Sequence, residues 1–387
     1  MKVPLTKIWT GAEEQQGVAD VLGSSWLTQG EKVRKFEQLV AGYTGAANGV
    51  ACSSGTAALQ IALRLADVGA GDEVVIPSFT WIATANAVAL AGAKPVFADI
   101  DLSTFNITPE NIRPCLSAKT KAVIVVHQFG LPADLNSIQR LATENGLVLI
   151  EDAACALGSK YDGQYIGNSE RLACLSFHPR KLVTTGEGGM LLTNSEEAAE
   201  RARRLVNHGA SVSDVVKHKT NRVQALLGES FPEVGYNFRL TDLQAAVGIA
   251  QMKRLDAILD SRARRAERYR QKLAHCDFLM LPATPAGRTH NWQSYVVRLR
   301  SRNAEARNAI AQYLLEQDIA CRPAYMACHL QPAYREIYPS LSLPATEKAL
   351  DTVLILPLYP QMSNEEQDYV IDNLITAIAA EYAYGTT

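Results

Sequence analysis

The feature that most constrains the fold of this chain is a series of short apolar runs separated by longer stretches of helical pattern. The runs are EVVIP (73–77), AKPVFADID (93–101), AVIVV (122–126), LVLIED (147–152) and GMLLTN (189–194). Runs that are apolar at nearly every position are typical of strands buried on both faces, and intervening helices favour a mainly parallel sheet. The sequence therefore predicts an α/β domain that binds its ligand beyond the carboxyl ends of these strands.

The pattern changes near Leu240, where one long helical segment begins. This segment, residues 241–275, has a length that commonly joins two domains, and a strand pattern and a helical pattern follow it at 292–300 and 303–317. We therefore predict a large domain over residues 1–250, including the N-terminal segment, and a smaller α/β domain over residues 251–387.

The charge balance argues against nucleic acid and membranes as partners. The 38 basic and 40 acidic residues give a net charge of −2, so no overall field recruits a polyanion. The basic cluster SRARRAERYR (261–270) lies on a predicted exposed helix without an aromatic platform for bases, and we interpret it as a solvated helix face. We expect small-molecule substrates.

The cysteines indicate a reducing compartment. All seven lack a CxxC partner, and most lie in apolar runs, which is typical of buried free thiols. Residues 1–16 lack the apolar core of a signal peptide, and no apolar run approaches the roughly 20 residues of a membrane span. We expect a cytoplasmic protein without disulfides. The histidines show no metal-ligand spacing, so we expect no catalytic metal.

The first candidate site is a turn between a strand and a helix. A strand pattern ends at Cys52, a Ser-Ser-Gly turn follows, and an apolar helix pattern begins at Thr56. Backbone N–H groups at such a helix start, at Ser54, Gly55 and Thr56, suit a phosphate. For this stretch alone an ordinary helix cap by Ser54 or Thr56 is the favoured explanation, because Ser-Gly-Thr before a helix is common.

The second candidate is Asp152, which directly follows the apolar run LVLIE. A carboxylate at the end of a strand can hold the protonated ring nitrogen of a flat ligand. A helix cap is the alternative. Glu151 should point to the opposite side of the strand, because successive side chains alternate.

The third candidate is Lys181, in SFHPRKLVTTGEGG (176–189). A lysine acts as a nucleophile only when neutral, which requires a desolvating or positively charged surrounding. Phe177 and Pro179 provide apolar cover, and the backbone of 184–189 can approach a ligand closely. A solvated surface amine is the alternative for any single lysine.

One ligand accounts for these features together. Trp81, after the strand EVVIP, is a ring on which a planar cofactor could stack. Pyridoxal phosphate needs a phosphate cradle, a ring platform, a carboxylate at the pyridine nitrogen and a lysine for covalent attachment. A nicotinamide dehydrogenase is disfavoured because no GxGxxG follows an early strand.

Segments over nearly the whole chain match one known family. They are WLTQGEKVRKFE (26–37), SSGTAAL (53–59), IPSFTWIATANAV (76–88), PVFADID (95–101), EDAACALGS (151–159), SFHPRKLVTTGEGGM (176–190), GYNFRLTDLQAAVG (235–248) and ILPLYPQMS (355–363). The chain resembles the nucleotide-sugar aminotransferases of the DegT/StrS type. The resemblance implies fold type I, the aspartate aminotransferase-like fold with a large, mainly parallel sheet and a smaller C-terminal α/β domain. It also implies pyridoxal phosphate as the cofactor.

The resemblance implies a role for each matching residue. Lys181 would form the Schiff base and shuttle protons, Asp152 would pair with the pyridinium, and Trp81 would stack on the ring. The phosphate contacts would come from Gly55, Thr56 and Ser176, and from Asn237 of the other subunit of a homodimer. Arg239 would meet the phosphates of the substrate.

One position departs from the family pattern. Members often have Gln or His three residues after the strand-end Asp, at a contact with the phenolic oxygen of the cofactor, and this chain has Cys155. A thiol is a weak donor. A dehydratase branch of the family has His in place of the lysine. Because Lys181 is retained, transamination is favoured over deoxygenation.

The resemblance also implies the substrates. L-glutamate would donate the amino group, and the acceptor would be a nucleotide-activated keto-deoxysugar. The segments HGASVSD (208–214) and SFHPRK (176–181) are most similar to enzymes that aminate C4, as perosamine synthases do. Candidate substrate contacts are His178, Glu187, Tyr325 and His329. Packing or surface polarity explains each of these four equally well.

Two alternatives stay open at this point. The acceptor could be a ketone without a nucleotide, such as a keto-cyclitol in antibiotic assembly. The chain could also be a cofactor-binding regulator without turnover, although it has no DNA-binding module and retains Lys181.

Overall fold

The strands of this protein form two main sheets and one small sheet. A computed structural model describes residues 1–212, 229–300, 303–324 and 326–384. The large sheet contains β1 (Asn48–Cys52), β2 (Glu73–Pro77), β3 (Lys94–Ala98), β4 (Thr120–Val126), β5 (Val148–Asp152), β8 (Leu172–Ser176) and β9 (Gly189–Thr193). The small sheet contains β6 (Lys160–Tyr161), β7 (Gln164–Tyr165) and β11 (Arg288–Thr289). The second main sheet contains β10 (Leu279–Met280), β12 (Tyr295–Leu299), β13 (Arg322–Pro323) and β14 (Val353–Leu356).

The large sheet is mainly parallel, as predicted. Its strand order is β1-β9-β8-β5-β4-β2-β3, and only β9 runs antiparallel to its neighbours. Each predicted apolar run forms one strand of this sheet. Alternate side chains belong to two separate cores, with Val74 and Ile76 on one face and Val75 on the other. Burial on both faces explains why the runs are apolar throughout.

Helices cover both main sheets. In the N-terminal part they are α1 (Ala12–Gly23), α2 (Glu31–Thr44), α3 (Gly55–Leu65), α4 (Ala83–Leu90), α5 (Pro109–Ile112), α6 (Leu135–Glu144) and α7 (Glu196–Leu205). In the C-terminal part they are α8 (Asp242–Met252), α9 (Leu255–Leu273), α10 (Ala304–Glu316), α11 (Pro332–Arg335), α12 (Pro344–Thr352) and α13 (Asn364–Tyr384). Within the described ranges, no helix combines the length and the hydrophobicity needed to cross a membrane.

The single long helix expected at 241–275 is instead two helices, α8 and α9. Lys253 and Arg254 separate them, and Arg254 has a backbone conformation outside the ideal helix, with φ −103° and ψ 0°. The Arg254 guanidinium donates hydrogen bonds to the Glu14 carboxylate and to the Trp9 carbonyl. The proposed domain boundary at 250/251 falls near the end of α8.

The N-terminal segment packs against the core of the second sheet. Val3 pairs with Ile319 in a parallel bridge, and its side chain is buried in the core of the second sheet. The Leu5 carbonyl then accepts a hydrogen bond from the Leu358 amide. The segment therefore begins against the C-terminal part of the chain and continues to α1, which packs on α8.

Candidate active site

A cavity of about 450 Å³ lies between the two main sheets. Its floor is formed at the carboxyl ends of strands of the large sheet, and β13 and β14 contribute to the opposite wall. Of the predicted site residues, the cavity is lined by Ser54, Gly55, Thr56, Trp81, Asp152, Cys155, Ser176, His178, Lys181 and Glu187. Distant parts of the sequence therefore meet where open α/β sheets bind ligands.

The turn after β1 places a helix start in the cavity. Ser54 caps α3, since its side chain accepts a hydrogen bond from the Ala57 amide at 3.1 Å. A Cβ atom at Gly55 would lie 2.9 Å from Ser176 Cβ, so this approach of the helix start to β8 requires glycine. The cap and the phosphate site are thus compatible. The Ser54 side chain serves the helix, and the N–H groups at its start face a concave site that suits an anion.

Asp152 is a buried carboxylate without a cationic partner at ion-pair distance among the described residues. Its Oδ2 accepts a hydrogen bond from Thr84 Oγ1 at 2.8 Å, and its Oδ1 accepts one from the Ala154 amide at 3.2 Å. Burial raises the pKa of this carboxyl, while these hydrogen bonds and the charge of Lys181 oppose the rise. No helix follows Asp152, so it is not a helix cap. Its environment suits a cationic ring nitrogen.

Glu151 points to the other side of β5, as the alternation predicts. Its carboxylate accepts hydrogen bonds from His127 Nε2 at 2.9 Å and Arg171 Nε at 2.5 Å. His127 Nδ1 accepts from the Ala133 amide, so Nε2 carries the proton. Burial alone would raise the pKa of Glu151, but these two partners hold it below its usual range. This pairing stabilises the strand end that carries Asp152.

Lys181 lies in the connection between β8 and β9 and is half-buried. Its Nζ donates a hydrogen bond to Cys155 Sγ at 3.1 Å, and its backbone amide donates to the His178 carbonyl at 2.8 Å. Phe177 in the same connection is fully buried, and its carbonyl accepts from Thr184 Oγ1. The amine is therefore held inside the cavity and is not a solvated surface group.

Trp81 contributes an accessible aromatic face. Its side chain is 46% exposed, although it lines the cavity. The Arg322 guanidinium carbon lies 5.7 Å from the ring centroid. An indole ring with this exposure can stack on a planar ligand.

Two predicted substrate contacts lie at the cavity. His178 is half-buried, and burial lowers the pKa of its imidazole while the charge of Glu187 opposes the shift. The Glu187 side chain is exposed. The backbone carbonyl of Glu187 accepts hydrogen bonds from the side chains of Thr185 and Gln244. These two residues are therefore available to a substrate at the rim.

Asn237 and Arg239 are described residues that do not line the cavity. Asn237 is exposed in a bridge with Asn207, and Arg239 Nη1 donates to Asn207 Oδ1 at 2.6 Å. Tyr325 lies outside the described residues.

His329 is fully buried and does not reach the cavity. Its Nδ1 lies 2.7 Å from Ser78 Oγ, and its Nε2 lies 3.3 Å from Glu347 Oε1. In this structure His329 connects its loop to the end of β2, and its role as a substrate contact stays a prediction.

Sequence reasoning missed several polar residues of the cavity. They are Thr6, Thr80, Thr84, Gln128, Arg180, Gln293, Ser294 and Arg322. Thr84 could have been found, because it lies one helical turn after Trp81 in the same motif. Arg322 and Gln293 come from the second sheet and its preceding loop, and no local pattern connects them to Lys181.

The chemistry of this side-chain set fits pyridoxal phosphate. A half-buried lysine amine, a carboxylate with no cationic partner in the described part of the chain, an accessible indole and a helix start lie around one cavity. These match the aldehyde, the ring nitrogen, the ring face and the phosphate of that cofactor.

Comparison with known proteins identifies the family. The model of the DegT/DnrJ/EryC1/StrS aminotransferase family matches residues 9–375. The aminotransferase TlmJ from Streptoalloteichus hindustanus is 34% identical, with a TM-score of 0.89 over 98% of this chain and 100% of that chain. DesV from S. venezuelae, solved with a ketimine intermediate, is 32% identical, with a TM-score of 0.88 over 97% of this chain and 98% of that chain.

A third similar protein was solved in its PLP form. Spr1654 from Streptococcus pneumoniae, described as a sugar aminotransferase and solved in its PLP form, is 27% identical, with a TM-score of 0.90 over 98% of this chain and 100% of that chain. The fold of this chain is fold type I, as the resemblance implied. The chain belongs to the DegT/DnrJ/EryC1/StrS aminotransferase family and is an aminotransferase that depends on pyridoxal phosphate.

Proposed function

We propose that this enzyme transfers the amino group of L-glutamate to a keto group, at C4, of a nucleotide-activated keto-deoxysugar. The observation that supports the proposal best is the meeting of Lys181, Asp152, Trp81 and the start of α3 around one cavity. The cavity is also open enough at its rim for a substrate larger than an amino acid, since Glu187 and Trp81 are exposed there.

Each of these residues has a distinct role in the proposal. Pyridoxal phosphate, when bound, supplies the carbonyl that takes up the amino group and a ring that withdraws electrons from the reacting carbon. The Lys181 amine attaches the cofactor and, once released, moves the proton of the amino-bearing carbon. Asp152 holds a proton on the ring nitrogen through a charge-assisted hydrogen bond.

The remaining groups bind and orient the cofactor and the substrate. The N–H groups at the start of α3 and the Ser176 hydroxyl hold the phosphate, and Trp81 covers the ring. Cys155, which contacts Lys181, takes the place of the Gln or His of other members. His178 and Glu187 are positioned to meet the substrate at the rim.

The sugar acceptor is supported by the family and by the name of the Streptococcus pneumoniae relative, a sugar aminotransferase. The preference for C4 is supported by the segments 176–181 and 208–214 in the sequence. Residues 213 and 214 of the second segment lie outside the described residues.

We propose further that the enzyme works as a homodimer in the cytoplasm. Asn237 is exposed and away from the cavity of its own chain, which suits a residue that serves the cofactor phosphate of a partner. Arg239 lies beside it and would accompany it. All seven cysteines are free, which suits a reducing compartment.

The experiment that tests the function separates donor from acceptor. The protein loaded with pyridoxal phosphate is treated with L-glutamate, and we expect the visible absorbance of the bound cofactor to disappear. A panel of nucleotide-linked keto sugars is then added, and a 4-keto-6-deoxy sugar should restore that absorbance and yield an amino sugar by mass spectrometry. Restoration by a keto-cyclitol alone would contradict the nucleotide-sugar acceptor.

A further inference from the structure

Cys155 holds a thiol against the amine of Lys181 inside the active-site cavity. Cys155 Sγ accepts a hydrogen bond from Lys181 Nζ at 3.1 Å, and both residues line the cavity. Both are half-buried, so a small molecule that enters the cavity can reach them. An oxidisable sulfur and a nitrogen nucleophile therefore lie in direct contact at a place open to solutes.

The other cysteines lack this combination of access and a neighbouring amine. All seven cysteines belong to the described residues, and Cys155 is the one among them that lines this cavity. Two half-buried thiols, those of Cys115 and Cys321, donate to backbone carbonyls, which cannot act as nucleophiles toward sulfur. The fully buried cysteines are Cys52, Cys174 and Cys328. An oxidant that enters the cavity therefore meets the thiol of Cys155 with an amine beside it.

The loop before β12 holds the backbone of both partners. Asn291, which is buried, donates a hydrogen bond from Nδ2 to the Cys155 carbonyl at 2.8 Å. Gln293 Nε2 donates to the Arg180 carbonyl at 2.6 Å, directly before Lys181. One loop therefore anchors the segment that carries the sulfur and the segment that carries the nitrogen, and their approach is built into the fold.

We propose that Cys155 is a site of reversible oxidation, at which hydrogen peroxide links the Cys155 sulfur to Lys181 Nζ. Peroxide first oxidises the thiol to a sulfenic acid: an S–O bond forms, the O–O bond breaks and water leaves. The neutral amine then attacks the sulfur. An S–N bond forms, the S–O bond breaks, and the departing hydroxide takes a proton from nitrogen and leaves as a second water. Overall, the thiol and the amine each lose one hydrogen, and peroxide takes up two electrons.

This cross-link uses the nitrogen to which the cofactor is attached in the proposed function. Pyridoxal phosphate bonded to Lys181 therefore protects the pair, and the enzyme is susceptible when the amine is released. A dithiol reverses the reaction, because one of its thiols displaces the amine from sulfur and the second then frees Cys155 as the dithiol closes its own disulfide. The effect on the cofactor rests on the proposed function, whereas the cross-link itself does not.

Mass spectrometry tests the cross-link without any measurement of turnover. The full chain without cofactor is treated with hydrogen peroxide and digested with trypsin in the absence of a reducing agent. We expect peptides 141–160 and 181–201 to be joined, with a mass lower than their sum by two hydrogen atoms. The treated protein should also lose the visible absorbance that attached pyridoxal phosphate gives. Dithiothreitol should separate the peptides and restore that absorbance.

Two variants and one loaded form are the controls. Cys115→Ser removes a half-buried thiol outside the cavity and should keep the joined peptides, whereas Cys155→Ser should abolish them. Protein loaded with pyridoxal phosphate before the treatment should form much less of the joined pair. Absence of the joined pair from the cofactor-free protein, or equal amounts in the loaded protein, would overturn the proposal. Failure of the proposed function has a different signature, because the joined pair then forms without any loss of cofactor attachment.

Discussion

Thr84 Oγ1 donates a hydrogen bond of 2.8 Å to Asp152 Oδ2, in the interior of the protein. This contact orients the carboxylate that is proposed to hold the ring nitrogen of the cofactor. Thr84→Val keeps the shape of the side chain and removes the donor. We expect it to weaken binding of pyridoxal phosphate at least about tenfold, since a hydrogen bond to a charged group contributes about 1.5 kcal/mol at the lower end of its range. Thr84→Ser retains the hydroxyl and should bind within a factor of about two, as measured by absorbance titration.

Replacing Lys181 with Ala removes the amine that contacts Cys155. Without it the cofactor can bind only non-covalently, and the proton at the amino-bearing carbon loses its carrier. We expect amino transfer from L-glutamate to fall by at least about 10²-fold, the lower end for a general acid–base group. Stopped-flow absorbance measures this half-reaction. Lys272→Ala, an exposed lysine on α9, should react at the normal rate, and a normal rate in Lys181→Ala would refute the assignment.

Adding a methyl group at Gly55 brings a Cβ atom to 2.9 Å from Ser176 Cβ and 3.3 Å from Ser176 Oγ. This close contact should lower the free energy of unfolding of Gly55→Ala by about 1–3 kcal/mol. Because Gly55 and Ser176 both belong to the proposed phosphate cradle, the substitution should also weaken cofactor binding. Gly42→Ala is the matched control. It lies in α2 with no atom within 4 Å of the added methyl, and it should be neutral or stabilising. Urea unfolding with and without pyridoxal phosphate distinguishes the two effects.

The carboxyl of Glu37 makes stability depend on pH. Burial raises its pKa from 4.5 to about 7, against the effects of the Ala51 amide and of Arg203 and Arg34. Between these pH values the folded chain holds a proton that the unfolded chain has lost, so the free energy of unfolding should fall as pH rises through this window. Over this whole window the free energy of unfolding should fall by roughly 3 kcal/mol.

Unfolding in urea at several pH values measures this dependence. Glu37→Gln cannot ionise, so its free energy of unfolding should vary less between pH 4.5 and about 7. Glu305→Gln removes an exposed carboxylate on α10 and should keep the dependence of the unmodified protein. An identical pH dependence in Glu37→Gln would show that another group is responsible.

Much of the large sheet could be predicted from the sequence, because central strands need apolar residues at every position. The run LACLS (172–176), which forms β8, was not among the predicted strands. The reversed direction of β9 was also not predicted, since direction depends on which neighbours a strand pairs with and not on its own residues. The break between α8 and α9 was not predicted either, and at this break the Arg254 side chain contacts Trp9 and Glu14, far away in the sequence.

The candidate site could likewise be predicted only in part from the sequence. Lys181, Asp152, Trp81 and the turn at Gly55 follow strands of one sheet, and their place at strand ends predicts that they meet. Arg322 was missed because β13 belongs to the other sheet, and only the packing of the two sheets brings it to Trp81. His329 could not be assigned from the sequence, because only the packing of its loop places the side chain against Ser78 in the interior.

The pairing of Val3 with Ile319 and of Leu5 with Leu358 governs when the active site can form during synthesis. Leu5 and Thr6 line the cavity, yet the partners that hold them in place are translated only after the whole large sheet. A chain that lacks Ile319 and Leu358 therefore lacks the partners that hold this wall. Contacts between such distant parts of a chain form slowly. This wall of the cavity is therefore complete only once these long-range contacts have formed.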